Sequence, residues 1–186
     1  MKNTSLIFLV GFSGSGKSTV GPLLAKRRRV RFVDIDDMIE RTSGMSIAEM
    51  FRTQGEPAFR EAERAVLRDS IALCGGEAVI ALGGGAFVGR ENRRLIGESG
   101  VSVYLSCAER ELYRRLSGKD DRPLLNVRPK TGETLRQARL RRIAGLLARR
   151  RRYYEMSEVI VSTTNRTAHE VVYEIERKIE RFGEHD

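Results

Sequence analysis

Cysteine, proline and long apolar runs are all scarce in this chain, and each shortage excludes something. The two cysteines, Cys74 and Cys107, are too few for a disulfide framework or a zinc cluster, which points to a reducing compartment. Four prolines and the lack of any low-complexity tract exclude a collagen-like, fibrous or disordered chain. No stretch approaches the ~20 apolar residues of a membrane span, and the run Leu6 to Val10 is too short for the core of a signal peptide. The expected address is cytoplasmic, with no membrane partner. No internal repeat is visible, so residues 1–186 are expected to form a single domain. A chain of that length can bury about 70% of its unfolded surface.

What the chain does have is positive charge. Its 34 lysines and arginines against 25 acids leave a formal charge of +9, and 28 of the 34 are arginine. Guanidinium groups grip phosphate and carboxylate in a bidentate way, so an anionic ligand is expected. Apolar runs of strand length recur at Leu6 to Val10, Val30 to Val33, Ala78 to Leu82, Val101 to Leu105 and Val159 to Val161. Helical patterns fill the intervals, at Lys17 to Arg29, Asp36 to Thr42, Ser46 to Thr53, Glu56 to Cys74, Arg90 to Ser99, Ala108 to Leu116, Thr134 to Tyr153 and Thr167 to Phe182. This alternation predicts a parallel sheet covered on both faces. Pro22 falls inside the first helix, where it lacks the N–H that would bond near Ser18, so a distorted turn is expected there.

Gly11-Phe12-Ser13-Gly14-Ser15-Gly16-Lys17-Ser18 fits the phosphate-loop pattern G-x-x-x-x-G-K-[ST], between a predicted strand and a predicted helix as the pattern requires. Glycines let successive backbone N–H groups and the helix start wrap a polyphosphate; Lys17 adds a mobile charge, and the Ser18 hydroxyl can ligate Mg²⁺. The candidate nucleotide contacts are Gly14, Ser15, Gly16, Lys17, Ser18 and Thr19. A phosphate loop alone does not separate kinases from GTPases or motors. The short chain and the lack of an N-K-x-D guanine-reading motif favour a compact kinase.

Behind the loop stand Asp34-Ile35-Asp36, an F-R-x-x-E pattern from Phe59 to Glu63, Gly83-Gly84-Gly85, Asp121-Arg122-Pro123-Leu124-Leu125, and an arginine run ending in Tyr153. In this order and spacing, from about Ser5 to Ser162, the chain resembles the shikimate kinases. The resemblance implies a three-layer α/β/α P-loop NTPase fold with a five-stranded parallel sheet. It also implies a substrate-binding insertion at about 35–65, a lid at about 112–126, and transfer from MgATP to the shikimate 3-hydroxyl, a step toward chorismate and the aromatic amino acids. A monomer is expected. Competing readings are a small P-loop kinase for a sugar acid or nucleoside monophosphate, and a nucleotide-sensing or RNA-associated domain without a small-molecule substrate.

By resemblance, Asp34 supports the Mg²⁺ shell with Ser18, and Asp36 holds and activates the acceptor hydroxyl. Two carboxylates at i and i+2 on a strand point the same way and can both face the crevice; a helix cap near Asp37 is the plainer use for one of them. Arg60 resembles a carboxylate-binding arginine, and its structural alternative is pairing with Glu63 or Glu56 along a helix. Gly83, Gly84 and Gly85 would bring backbone N–H groups close to a substrate oxygen, or simply form a loop leaving the sheet. Arg122 would reach the transferring phosphate on lid closure. Arg115 would stack on adenine, or stand as a solvated helix arginine; Arg166 is a looser candidate near the base.

Eight arginines and no acid lie between Thr134 and Tyr154. Without interleaved aromatics or a known nucleic-acid motif they read as a solvated face, and no nucleic-acid partner is expected. The family pattern R-x-P-x-Y aligns with Arg149 to Tyr153, with Arg151 in place of proline. Arg149, one helical turn before Tyr153, is the expected second arginine on the substrate carboxylate, alongside Arg60. His169 and His185 are read as surface residues.

Overall fold

The computed structural model describes residues 5–117 and 127–183. Five strands, β1 (Leu6–Val10), β2 (Arg31–Asp34), β3 (Ala78–Ala81), β4 (Val101–Ser106) and β5 (Val159–Ser162), pair in parallel in the order β2-β3-β1-β4-β5. Parallel pairing demands crossovers, and helices supply them: α1 (Lys17–Arg28), α2 (Ile35–Ser43), α3 (Ile47–Thr53), α4 (Gly55–Leu73), α5 (Arg90–Ser99), α6 (Glu109–Leu116), α7 (Leu135–Tyr154) and α8 (Ala168–Gly183). All five predicted strands are present. Helices cover both faces of the sheet, which gives the three-layer α/β/α arrangement that the resemblance implies.

Strand β1 shows why its sequence is apolar without alternation. Leu6, Phe8 and Val10 pack into a cluster with Ile35 and Ile39 of α2, Leu67 of α4, Ile96 of α5 and Ile143 of α7. Ile7 and Leu9 pack on the other face with Val20 and Leu24 of α1 and Val172, Ile175 and Ile179 of α8. Successive side chains point to opposite faces and both faces are covered, so every position is apolar. Each fully buried Leu, Ile or Phe contributes about 1.5–3 kcal/mol. Cys74 and Cys107 are buried in the first cluster as free thiols.

Two expectations are corrected here. Helix α1 runs through Pro22 without interruption. Pro22 and Ser18 are both exposed, so water can take over the one carbonyl bond that the ring removes. Asp36 is not on a strand: β2 ends at Asp34, whose side chain caps α2 by accepting from the Asp36 N–H at 3.1 Å. The cap turns the chain at once, and Asp36 leaves from the first helical turn. Of the segment expected to form a lid, residues 112–116 lie in α6, while 118–126, Arg122 included, lie outside the described residues.

Candidate active site

The loop between β1 and α1 has the backbone its glycines suggest. Gly11, Gly14 and Gly16 have φ of 150°, 82° and 107°, and a Cβ at Gly11 would meet Ser15 Oγ at 2.7 Å and Leu105 O at 2.8 Å. Lys17 Nζ donates to the carbonyls of Gly11 at 2.9 Å and Phe12 at 3.2 Å. Ser18 Oγ donates to Asp34 Oδ2 at 3.0 Å, which ties the start of α1 to the end of β2. A hydroxyl and a carboxylate in contact are hard oxygen donors that fit Mg²⁺, an ion usually held by one or two protein ligands together with substrate phosphates and water. No cluster of three or more His, Cys, Asp or Glu side chains suited to a metal occurs among the described residues.

Asp34 and Asp36 both line a crevice of about 1240 Å³ together with Gly14, Ser15, Gly16, Lys17, Ser18 and Thr19. Burial pushes both carboxyls above the ordinary range. At Asp34 the Ser18 hydrogen bond pulls the other way; at Asp36 the charge of Asp34 adds to the rise and Lys17 opposes it. Glu63 joins them from α4. Its side chain is 1% exposed, burial raises its pKa, and its Oε1 has no hydrogen-bond partner. A Cβ at Gly83 would lie 2.7 Å from both Asp36 Oδ1 and Glu63 Oε1, so glycine is needed there to let the two carboxylates converge. The F-R-x-x-E pattern contains Glu63, but spacing alone gave it no role.

Cations face these acids. Arg60 lines the crevice and also makes both structural contacts weighed for it, Nη1 to Glu63 at 2.9 Å and Nη2 to Glu56 at 3.1 Å. Gly85 lies against it: a Cβ there would stand 2.5 Å from Arg60 Nη2. Arg149 is exposed and outside the lining, and Arg150 stands in the crevice in its place. Arg150 Nη1 donates to the Gly84 carbonyl at 3.1 Å, and its guanidinium lies 5.8 Å from the Phe12 ring centre. The one-turn argument holds, but from the other tyrosine. Tyr154 is the buried one, at 1% exposure and 5.2 Å from the Tyr104 ring, and one turn before it is Arg150. Gly84 lines the crevice, with Gly83 and Gly85 packed behind it against the acids and Arg60.

Arg115 crosses the outer side of the loop, with Nη1 at 3.4 Å from the carbonyls of Gly14 and Ser15 and Nη2 at 2.7 Å from the Thr163 carbonyl. Glu111 fixes it through Nε at 2.8 Å. Arg166 lines the same end, held by Glu174 and by the Ser162 carbonyl at 3.3 Å. Glu111 is an i,i+4 partner of Arg115 on α6, a spacing visible in the sequence, whereas Thr163 had no signal to mark it because its contact depends on β4 and β5 lying side by side. His169 is exposed.

A family model described as shikimate kinase matches residues 13–180. Shikimate kinase of Chlorobium chlorochromatii is 45% identical over 182 residues, 97% of this chain and 94% of that one. That of Chlorobium phaeobacteroides is 42% identical over 183 residues, 98% and 90% of the two chains. The solved shikimate kinase from Acinetobacter baumannii in complex with shikimate superposes with a TM-score of 0.85 at 31% identity, over 97% of this chain and 95% of that one.

Proposed function

The chain belongs to the shikimate kinase family, and from that membership we propose how its residues share the family's reaction. The reaction is MgATP-dependent phosphorylation of the shikimate 3-hydroxyl. Phosphoryl transfer leaves a protein little covalent work, so the residues act by positioning and charge. Gly14, Ser15, Gly16, Lys17, Ser18 and Thr19 take the triphosphate, with Lys17 on the β- and γ-phosphates. Ser18 and Asp34 would hold Mg²⁺, which would supply positive charge against the phosphates. Asp36 accepts the hydrogen bond of the acceptor hydroxyl and takes its proton as the hydroxyl oxygen bonds to the γ-phosphorus and the bond from that phosphorus to the departing ADP oxygen breaks. Arg60 and Arg150 grip the substrate carboxylate, with Gly83, Gly84 and Gly85 beneath the ring. Arg115 packs on adenine, and Arg122 supplies a charge to the transferring group.

The observation that carries this reading is the juxtaposition in one crevice of Ser18 bonded to Asp34, Asp36 beside them, and Arg60 and Arg150 opposite. Residues 35–65, which include α2 and α3, form the substrate wall. The crevice is assembled within one chain, so a monomer suffices, and a cytoplasmic address without nucleic-acid or membrane partners fits the ligand set. No helix of the described residues is long and apolar enough to cross a membrane. The test is a coupled ADP-release assay across shikimate, gluconate and CMP: only shikimate should stimulate release, and Lys17→Met should abolish it while leaving the fold intact. Stimulation by gluconate or CMP and not by shikimate would overturn the assignment.

A further inference from the structure

Gly84 is held differently from its two neighbours. Gly83 and Gly85 are pinned by packing, since an added Cβ would press on Asp36 and Glu63 in one case and on Arg60 in the other, at 2.7 Å and 2.5 Å. At Gly84 the nearest atoms to such a Cβ lie 3.5 Å away, so packing does not fix it. Glycine is the residue with most backbone freedom, and an unpinned glycine at the floor of a binding site would leave its peptide free to turn. Two donors prevent this. The Tyr154 hydroxyl and Arg150 Nη1, one turn apart on α7, both donate to the Gly84 carbonyl and occupy its two lone pairs.

We propose that Tyr154 is a positioning residue for the substrate: its hydroxyl fixes the Gly84 peptide and, through the shared carbonyl, aligns the Arg150 guanidinium toward the substrate carboxylate. The inference rests on the shikimate reading of the crevice. A tyrosine retained only for packing would need its ring and not its oxygen; here the ring packs on Tyr104 while the oxygen meets the one glycine of the three that lines the crevice. Burial pushes the hydroxyl up to about 12, with the Arg150 charge pulling the other way, so it remains a donor at every working pH.

Tyr154→Phe keeps the ring and removes the donor. We expect the shikimate KM to rise about fivefold to tenfold, the loss of roughly one hydrogen bond, with the ATP KM unchanged and kcat within about twofold. In an Arg150→Ala background the same substitution should change the shikimate KM by less than about twofold, because the two side chains act through one acceptor. An unchanged shikimate KM, an equal rise in both KM values, or a full-sized effect in the Arg150→Ala background would overturn the proposal. If the parent enzyme fails to phosphorylate shikimate, the reading beneath it falls instead, so the two failures are distinct.

Discussion

Arg149 and Arg150 are adjacent in the chain and about 100° apart around α7. That rotation separates a solvated side chain from one in the crevice. Losing one partner of a desolvated charge pair typically costs about 2–5 kcal/mol, so Arg150→Ala should weaken shikimate binding well over tenfold, and Arg149→Ala should change it little; shikimate titrations of the two variants decide between them. The arginine run itself could be read from the sequence, but its register could not. Tyr153 and Tyr154 look alike as letters, and which of them is buried depends on Tyr104 of β4 and the Gly84 carbonyl, both remote along the chain. At Asp34 and Asp36 the two residues were legible, and so was a helix cap as the use of one of them; that Asp34 is the cap, one residue before α2 begins, is a decision of local hydrogen bonding. With the roles proposed, Asp36→Asn should depress kcat more than ATP affinity, while Asp34→Asn should be partly rescued by raising Mg²⁺. Exchanged phenotypes would reverse the pair.

On the scale of elements, strands and helices were legible nearly to their ends, because the inner strands β1, β3 and β4 are buried on both faces and helix ends are marked by residues such as Ser46, which accepts from the Glu49 N–H at 3.2 Å. What periodicity cannot supply is contact between elements. The glycine loop after β3 is an example: its triplet is plain in the sequence, but what each glycine makes room for is not. Gly83→Ala should lower kcat by displacing Asp36 and Glu63, and Gly85→Ala should raise the shikimate KM by displacing Arg60; steady-state kinetics separate the two. Helix α6 carries a further test. The hydrogen bond from Arg114, with Arg115 adding to it, pulls Glu111 from an ordinary 4.5 down to about 2 against the opposing effect of burial. A carboxyl that is more acidic in the folded chain stabilises it above the unfolded pKa and loses that contribution as pH falls. Glu111→Gln should therefore flatten the loss of stability between pH 4.5 and about 2, measured by urea unfolding. Asp34, Asp36 and Glu63, raised by burial, act with the opposite sign, so the parent and variant curves must be subtracted rather than read singly.

Over the whole molecule, the charge of +9 and the acid-free arginine run of α7 suggest a polyanion surface to anyone reading composition alone. In the structure that run is divided among several tasks. Arg141 pairs with Glu133 at 2.8 Å, Arg151 with Glu155 at 2.8 Å, and Arg142 and Arg150 line the crevice. Binding to DNA or RNA should accordingly be weak, non-specific and steeply dependent on salt, and a tight, sequence-selective complex at physiological salt would contradict this. Fold and reaction class were legible because the phosphate loop, the acid pair and the glycine triplet each keep their residue types at fixed places beside the sheet.

The strand order has one more consequence. Read across the sheet, β2 ends at Asp34, β3 leads into the glycine triplet, β1 into the phosphate loop, and β5 runs to Thr163 at the Arg115 end. Neighbouring strands are spaced about 4.8 Å apart by backbone hydrogen bonds, so these stations sit on a ruler of four intervals, roughly 19 Å long. Its graduations belong to the main chain and no side-chain substitution can rescale them. A descendant enzyme could trade the acceptor for a larger or smaller one by rebuilding the helical wall of residues 35–65, but the spacing of the strand ends beneath that wall would stay as the sheet sets it.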